Sequence, residues 1–151
     1  MSPNPLLLEQ QLCFALYHAS RAFTRAYAPL LEPLGLTYPQ YLVMLVLWET
    51  HVATVKQLGE RLALDSGTLT PLLKRLEQRG LLTRQRDTAD ERVVRIALSP
   101  AGEALQAQAE HIPMELVCRT GFDITTPEDQ QRFVQLRQEL VNLTRQLESE
   151  S

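Results

Sequence analysis

Apolar residues recur through the first segment, from about Leu6 to Leu30, at alternating spacings of four and three: Leu8, Leu12, Ala15, Ala19, Ala22 and Ala26. This is the seam of one helix lying along another, and its alanines, with no glycine among them, keep helix propensity high. Pro29, Pro33 and Gly35 mark its end. A second helix is predicted to start at Thr37, an N-cap with Pro39 in the first turn and Gln40 three residues on, the spacing of a capping box. Its run from Tyr41 to Trp48 is apolar nearly all round, the mark of a central buried helix. A counterpart of the first seam lies at the far end. There Thr126-Pro127-Glu128-Asp129 caps a last helix whose Phe133, Leu136, Leu140, Leu143 and Leu147 keep a strict three-four spacing.

The middle of the chain has a different rhythm. Residues 54–63 predict a short helix with Val55, Leu58, Leu62 and Ala63 inward. A second short helix follows, capped by Asp65 or Ser66, with Leu69, Leu72, Leu73 and Leu76 on one face and Gly80 as its stop. Two helices joined by a brief turn are a helix-turn-helix. Leu81 to Arg86 and Val93 to Leu98 then read as strands joined by the polar loop 87–92, a hairpin. Ser99 and Pro100 cap a further helix that bends at Pro113, runs on to Cys118 and Thr120, and ends at Gly121. The predicted fold is mainly α with a small β-hairpin wing: a winged helix-turn-helix over 37–99, with dimerisation helices at 1–36 and 100–151.

Composition adds bounds. The chain has 151 residues, 44% of them hydrophobic and 6% aromatic, so its core rests on Leu, Val and Ala. No run approaches the roughly 18 apolar residues of a membrane span, and the opening Met-Ser-Pro-Asn-Pro lacks the basic region of a signal peptide. A cytoplasmic protein with no membrane partner is expected. Cys13 and Cys118 fit no zinc spacing, and no cofactor or metal is implied.

Net charge is −3, yet residues 74–95 carry +3 and the remainder −6. Such segregation gives a basic face on an acidic body, as a DNA reader needs. The second short helix offers Asp65, Ser66, Thr68, Thr70, Lys74 and Arg75. Hydroxyl residues at a helix N-terminus suit base edges or phosphates in the major groove, and the two cations suit phosphate anchoring. On the hairpin, Arg84 and Arg86 extend the basic face. Arg92 near the tip suits a narrow minor groove, with Asp90 placed to hold its guanidinium. The apolar seams of the first and last helices need a partner, and a second copy is the economical one. A two-fold dimer sets two reading heads about 34 Å apart on an inverted-repeat operator in double-stranded DNA.

Asp90, Arg92, Ile96, Leu98, Ser99 and Gly102 form the pattern Asp-x-Arg-x-x-x-Ile-x-Leu-Ser-x-x-Gly, and in this the chain resembles the MarR family of dimeric winged-helix regulators. The stretches 12–17, 36–41 and 64–73 narrow the resemblance to the organic-hydroperoxide-sensing repressors (OhrR). That resemblance implies repression, with Cys13 as the peroxide-sensing cysteine. It implies hydrogen bonds to its thiolate from Tyr27 and Tyr38 of a partner subunit, with Tyr17 nearby, and Cys118 as a second, resolving cysteine. A sensing cysteine attacks as thiolate, which phenol donors and helix dipoles stabilise. Phe14, Leu16, Phe23 and Met44 are candidate lining for an apolar pocket that favours organic hydroperoxides as inducers. Three other readings stay open: a thiol peroxidase, a MarR-type regulator gated by a small aromatic or phenolic ligand, and an architectural DNA binder. The wing and reading helix weigh against an enzyme.

Overall fold

The computed structural model describes residues 4–151, so that Met1 to Pro3, the first residues of the expected dimerisation segment, lie outside the described residues. The first helix, α1 (Leu12–Leu31), begins six residues later than its apolar seam predicts. Residues Leu8–Gln10 form a separate 3-10 turn, and Gln11 is extended between the two. The Gln11 side chain donates to the carbonyls of Pro5 and Leu7 (2.6 and 3.0 Å), holding the chain out of the helix. Pro29 lies inside the last turn of α1 rather than beyond it. The chain then turns through Glu32–Leu34 to Gly35, whose left-handed backbone (φ +67°) stops it. Arg79 clamps this turn by donating to the carbonyls of Leu34 (2.9 Å) and Gly35 (2.6 Å).

Thr37 and Gln40 form the expected capping box of α2 (Tyr38–Thr50). This helix buries Gln40, Tyr41, Val43, Met44, Val46, Leu47 and Trp48, so its apolar circumference is that of a central helix. A three-residue strand, β1 (Val52–Thr54), follows it where the sequence pattern predicts none. Thr54 and Gln57 make a second capping box that starts α3 (Val55–Leu62). Leu58 is buried as expected, whereas Ala63 is exposed and left-handed (φ +54°), serving as the cap of α3 rather than as core. Then come α4 (Ser66–Gln78), β2 (Leu82–Arg86), β3 (Val94–Leu98) and α5 (Pro100–Ala109). The sheet has the order β1-β3-β2 and is antiparallel throughout, with Arg84 opposite Ile96 and Ala53 opposite the same residue on the other side.

Residues 1–110 form one compact unit, and 111–151 a second. The core of the first is aliphatic, as the composition requires: Leu31, Val43, Met44, Leu47, Leu58, Leu69, Leu73, Leu76, Leu82 and Ile96 are almost wholly shielded from water. Trp48 donates its ring N–H to the Gly102 carbonyl (2.9 Å), tying α2 to α5. In the second unit, α6 (Ile112–Arg119) ends before the left-handed Gly121. Thr126 caps α7 (Pro127–Ser149), accepting from the Asp129 N–H. No residue of α7 is buried, and its Leu136, Leu140 and Leu147 are exposed. Leu8, Leu12, Ala15, Ala19 and Ala22 of the N-terminal seam are exposed as well. Both seams therefore show apolar surface to water. Among the described residues no single helix is long and apolar enough to cross a membrane.

Candidate nucleic-acid interface

A cleft runs between α3, α4 and the wing, lined on one side by Lys56, Ser66, Thr70 and Lys74 and on the other by Arg84, Arg86, Asp90 and Arg92. The helix-turn-helix and the hairpin thus bring most of the expected DNA residues to one surface. At the head of α4, Asp65 is extended, and its carboxylate accepts from the Thr68 N–H at 2.7 Å. That bond holds its carboxyl below the usual carboxylate range. Asp65 is occupied as the helix cap. Ser66, Gly67 and Thr68 are left exposed on the first turn, beside backbone N–H groups that have no acceptor inside the helix. Lys74 and Arg75 are exposed further along α4 and stand outside the ion pairs of the described residues.

The wing cations differ from one another. Arg92 is 91% exposed, and Asp90 grips it from one edge: Nε and Nη2 donate to the two carboxylate oxygens at 3.1 and 3.2 Å. The Arg92 guanidinium, donating to Asp90, keeps that carboxyl ionised well into acid. Its other edge points to solvent, so the expected holding role of Asp90 matches the geometry. Arg86 donates to the Glu91 carbonyl (3.0 Å) across the loop. Arg84 is engaged by Glu77 of α4, to which its Nε, Nη2 and backbone N–H all donate within 3.1 Å. Two residues here escaped sequence reasoning. Asp87 opens the wing loop, accepts from the N–H groups of Ala89 and Asp90, and pairs with Arg95 at 2.8 Å. The signal was available, since Asp is a favoured first residue of a turn. Lys56, in the first turn of α3, adds a cation on the cleft wall, and only the three-dimensional arrangement of α3 reveals it.

Cys13 is the second residue of α1 and is exposed. Tyr17 is one turn on, and its ring and hydroxyl are met by Arg21 (Nη1 to Oη 3.2 Å). Tyr27 and Tyr38 pack ring to ring at 4.9 Å, with Tyr41 5.5 Å from Tyr27. Burial, with Tyr41 and Tyr38 beside it, pushes the Tyr27 phenol up to about 12, so it is a hydrogen-bond donor at any physiological pH. Cys13 and Tyr27 share one helix and lie nearly four turns apart on it, about 21 Å at 1.5 Å per residue. No bond between them forms within a protomer. Of the candidate pocket residues, Phe14 and Phe23 are exposed, Leu16 is half-buried, and Met44 belongs wholly to the α2 core. Cys118 is exposed on α6 in the second unit.

Residues 25–111 match the family model of the transcriptional regulators SarA/Rot. An organic hydroperoxide resistance transcriptional regulator of Bacillus subtilis (strain 168) is 58% identical over 106 residues, covering 70% of this chain and 72% of that protein. The crystal structure of AbfR of Staphylococcus epidermidis superposes with a TM-score of 0.71 at 43% identity, over 91% of this chain and 94% of that one. AbfR in its reduced state bound to DNA matches with a TM-score of 0.70 at 38% identity (91% and 93% covered). Its disulfide form matches at 0.63 and 40% (91% and 92%).

Proposed function

Because the chain belongs to the MarR-type winged-helix transcriptional regulators, with the SarA/Rot proteins and the organic hydroperoxide regulators, we propose that it is a peroxide-released repressor. It binds an inverted-repeat operator as a cytoplasmic homodimer and leaves it when an organic hydroperoxide oxidises Cys13. Segments 1–36 and 100–151 dimerise through their exposed seams, and 37–99 reads DNA. The hydroxyl turn of α4 enters the major groove, Lys74 and Arg75 hold phosphate, and the free edge of Arg92 enters the minor groove.

One observation carries the control half of this reading. An exposed thiol opens α1, and a pair of phenols in the donor state lies near its far end, where one protomer cannot join them. Two antiparallel copies of α1 bring Cys13 of each to Tyr27 and Tyr38 of the other. The thiolate attacks the O–O bond and takes one oxygen as sulfenic acid, and the alkoxide leaves as alcohol after gaining a proton. The Cys118 thiol then displaces water from the sulfenic acid, closing a disulfide. Its Cα atoms must come within about 7 Å, and the helix movement this demands changes the spacing of the two reading heads.

The test is operator binding by wild type, Cys13→Ser and Cys118→Ser, each with and without an organic hydroperoxide. Wild type dissociates and forms an intersubunit cross-link, Cys13→Ser stays bound, and Cys118→Ser loses the cross-link. If Cys13→Ser leaves the operator as readily as wild type, the thiol is not the sensor and a ligand-gated regulator takes its place.

A further inference from the structure

Arg84 looks like one more phosphate anchor on the basic wing, but its hydrogen bonds say otherwise. Glu77 lies in the last turn of α4, and its carboxylate receives three donors from one residue of β2. The Arg84 backbone N–H bonds Oε2 at 3.1 Å, and Nε and Nη2 bond Oε1 at 3.1 and 3.0 Å. The pair is only about a third exposed (29% and 35%), and Arg84 is the least exposed arginine of any ion pair among the described residues. A carboxylate that holds a main-chain N–H as well as a guanidinium fixes the strand itself, not merely a side chain.

We propose that Glu77 and Arg84 are positioning residues that set the angle of the wing to the reading helix, and that neither touches DNA. This rests on the reading of the α4–wing cleft as the DNA interface. Arg84 stands mid-strand, opposite Ile96, and the wing tip carrying Arg92 projects beyond it. From Arg84 to the end of β2 at Arg86 the hairpin extends about 7 Å at 3.3 Å per residue, so a tilt of ~15° at the brace moves the strand end by about 2 Å. The minor groove is only about 6 Å wide, and a misplacement of that size takes Arg92 out of register while α4 keeps its own contacts. The brace therefore acts through Arg92 alone.

That dependence is what the experiment reads. The probe is a duplex selected by the wild-type protein from a random-sequence library, and affinity is measured over a range of salt for wild type, Glu77→Gln, Arg84→Ala, Arg92→Ala and Glu77→Gln/Arg92→Ala. Glu77→Gln keeps the size of the side chain and leaves the core untouched. It weakens binding about tenfold alone and less than twofold in the Arg92→Ala background. Arg84→Ala weakens binding and lowers the salt slope no further than Arg92→Ala does, because it removes no phosphate contact of its own. A salt slope lower by about one than that of Arg92→Ala makes Arg84 a phosphate anchor and overturns the proposal. Equal losses from Glu77→Gln in both backgrounds overturn it too, since a merely structural role does not depend on Arg92. If Arg92→Ala binds as tightly as wild type, the wing reading beneath the brace is what falls.

Discussion

Gly102 shows how a residue read as part of a signature becomes a packing requirement. It occupies the third position of α5, where its N–H bonds the Ser99 hydroxyl at 3.0 Å. A Cβ there would run into the Leu81 carbonyl oxygen and lie 2.7 Å from Leu98 Cδ1. The carbonyl cannot yield freely, because it accepts from the Ser99 N–H at 3.1 Å. Gly102→Ala must therefore push α5 outward, and the Gly102 carbonyl that receives the buried Trp48 N–H moves with it. Overpacking costs about 1–3 kcal/mol, and loss of a partner for a buried N–H costs a further ~1–3 kcal/mol. Relief of the clash comes at the expense of the hydrogen bond, so the two do not add in full and a loss of about 2–4 kcal/mol is expected. With a urea slope of roughly 2 kcal/mol per molar, the midpoint falls by about 1–2 M at a fixed protein concentration. Trp48 is the chain's one tryptophan, and its emission reports both unfolding and the altered environment of the native indole. A stability change below about 0.5 kcal/mol with unchanged native emission refutes the argument.

Other consequences are as direct. Leu140, exposed in the middle of the α7 seam, should turn the proposed dimer into monomers when changed to Glu, read by sedimentation; a dimer that survives removes α7 from the interface. Asp65, Asp87 and Asp90 all have depressed carboxyl pKa values. Their stabilisation is complete above the unfolded value of about 3.9 and is lost as pH falls through the lower folded values. Denaturation midpoints should then be insensitive to these three carboxylates between about pH 5 and 8 and drop below about 4. At the alkaline end the sign reverses. The unfolded chain releases the Tyr27 proton near 10 and the folded one near 12, so stability declines across that interval. An ultraviolet titration of Tyr27→Phe should lack the last tyrosinate to form.

Much of the reading head was legible because its signals are local. Thr37 and Gln40 lie within one turn, Asp65 caps the helix it precedes, and Ser99 and Pro100 mark α5 by position alone. What sequence reasoning lost was non-local or too short to show a period. Val52 to Thr54 is a strand only because β3, more than forty residues on, supplies the partner. Ala63 reads as core by composition, yet the backbone there must turn left-handed and expose it. The apolar pattern places the start of α1 too early because Leu6 to Leu8 continue it, whereas Gln11 satisfies its backbone neighbours outside the helix. Arg84 and Arg92 look alike in sequence as wing cations, and only their acceptors and exposure separate a brace from a guanidinium held at one edge and open to solvent at the other.

The length of α1 gives the control mechanism its sharpest consequence. If Tyr27 serves the thiol of the other subunit, each sensing site is built from two chains, and two damaged chains can repair each other. Cys13→Ser homodimers have phenols but no thiol; Tyr27→Phe homodimers have thiols without that donor, and these should react slowly with organic hydroperoxide. Let equal amounts exchange subunits at random, and half of the Tyr27→Phe chains meet a Cys13→Ser partner. In each such heterodimer the surviving Cys13 faces an intact Tyr27, and the second site has neither group. About half of all Cys13 thiols should then oxidise at the wild-type rate and half at the slow rate, a biphasic course absent from either parent. A uniformly slow mixture shows that Tyr27 does not serve the thiol of the other subunit. A Tyr27→Phe homodimer that reacts as fast as wild type removes the phenol from the chemistry. The biphasic result alone requires the antiparallel pairing, because the 21 Å between the two residues on one helix leaves no other way for one chain's phenol to restore another chain's thiol.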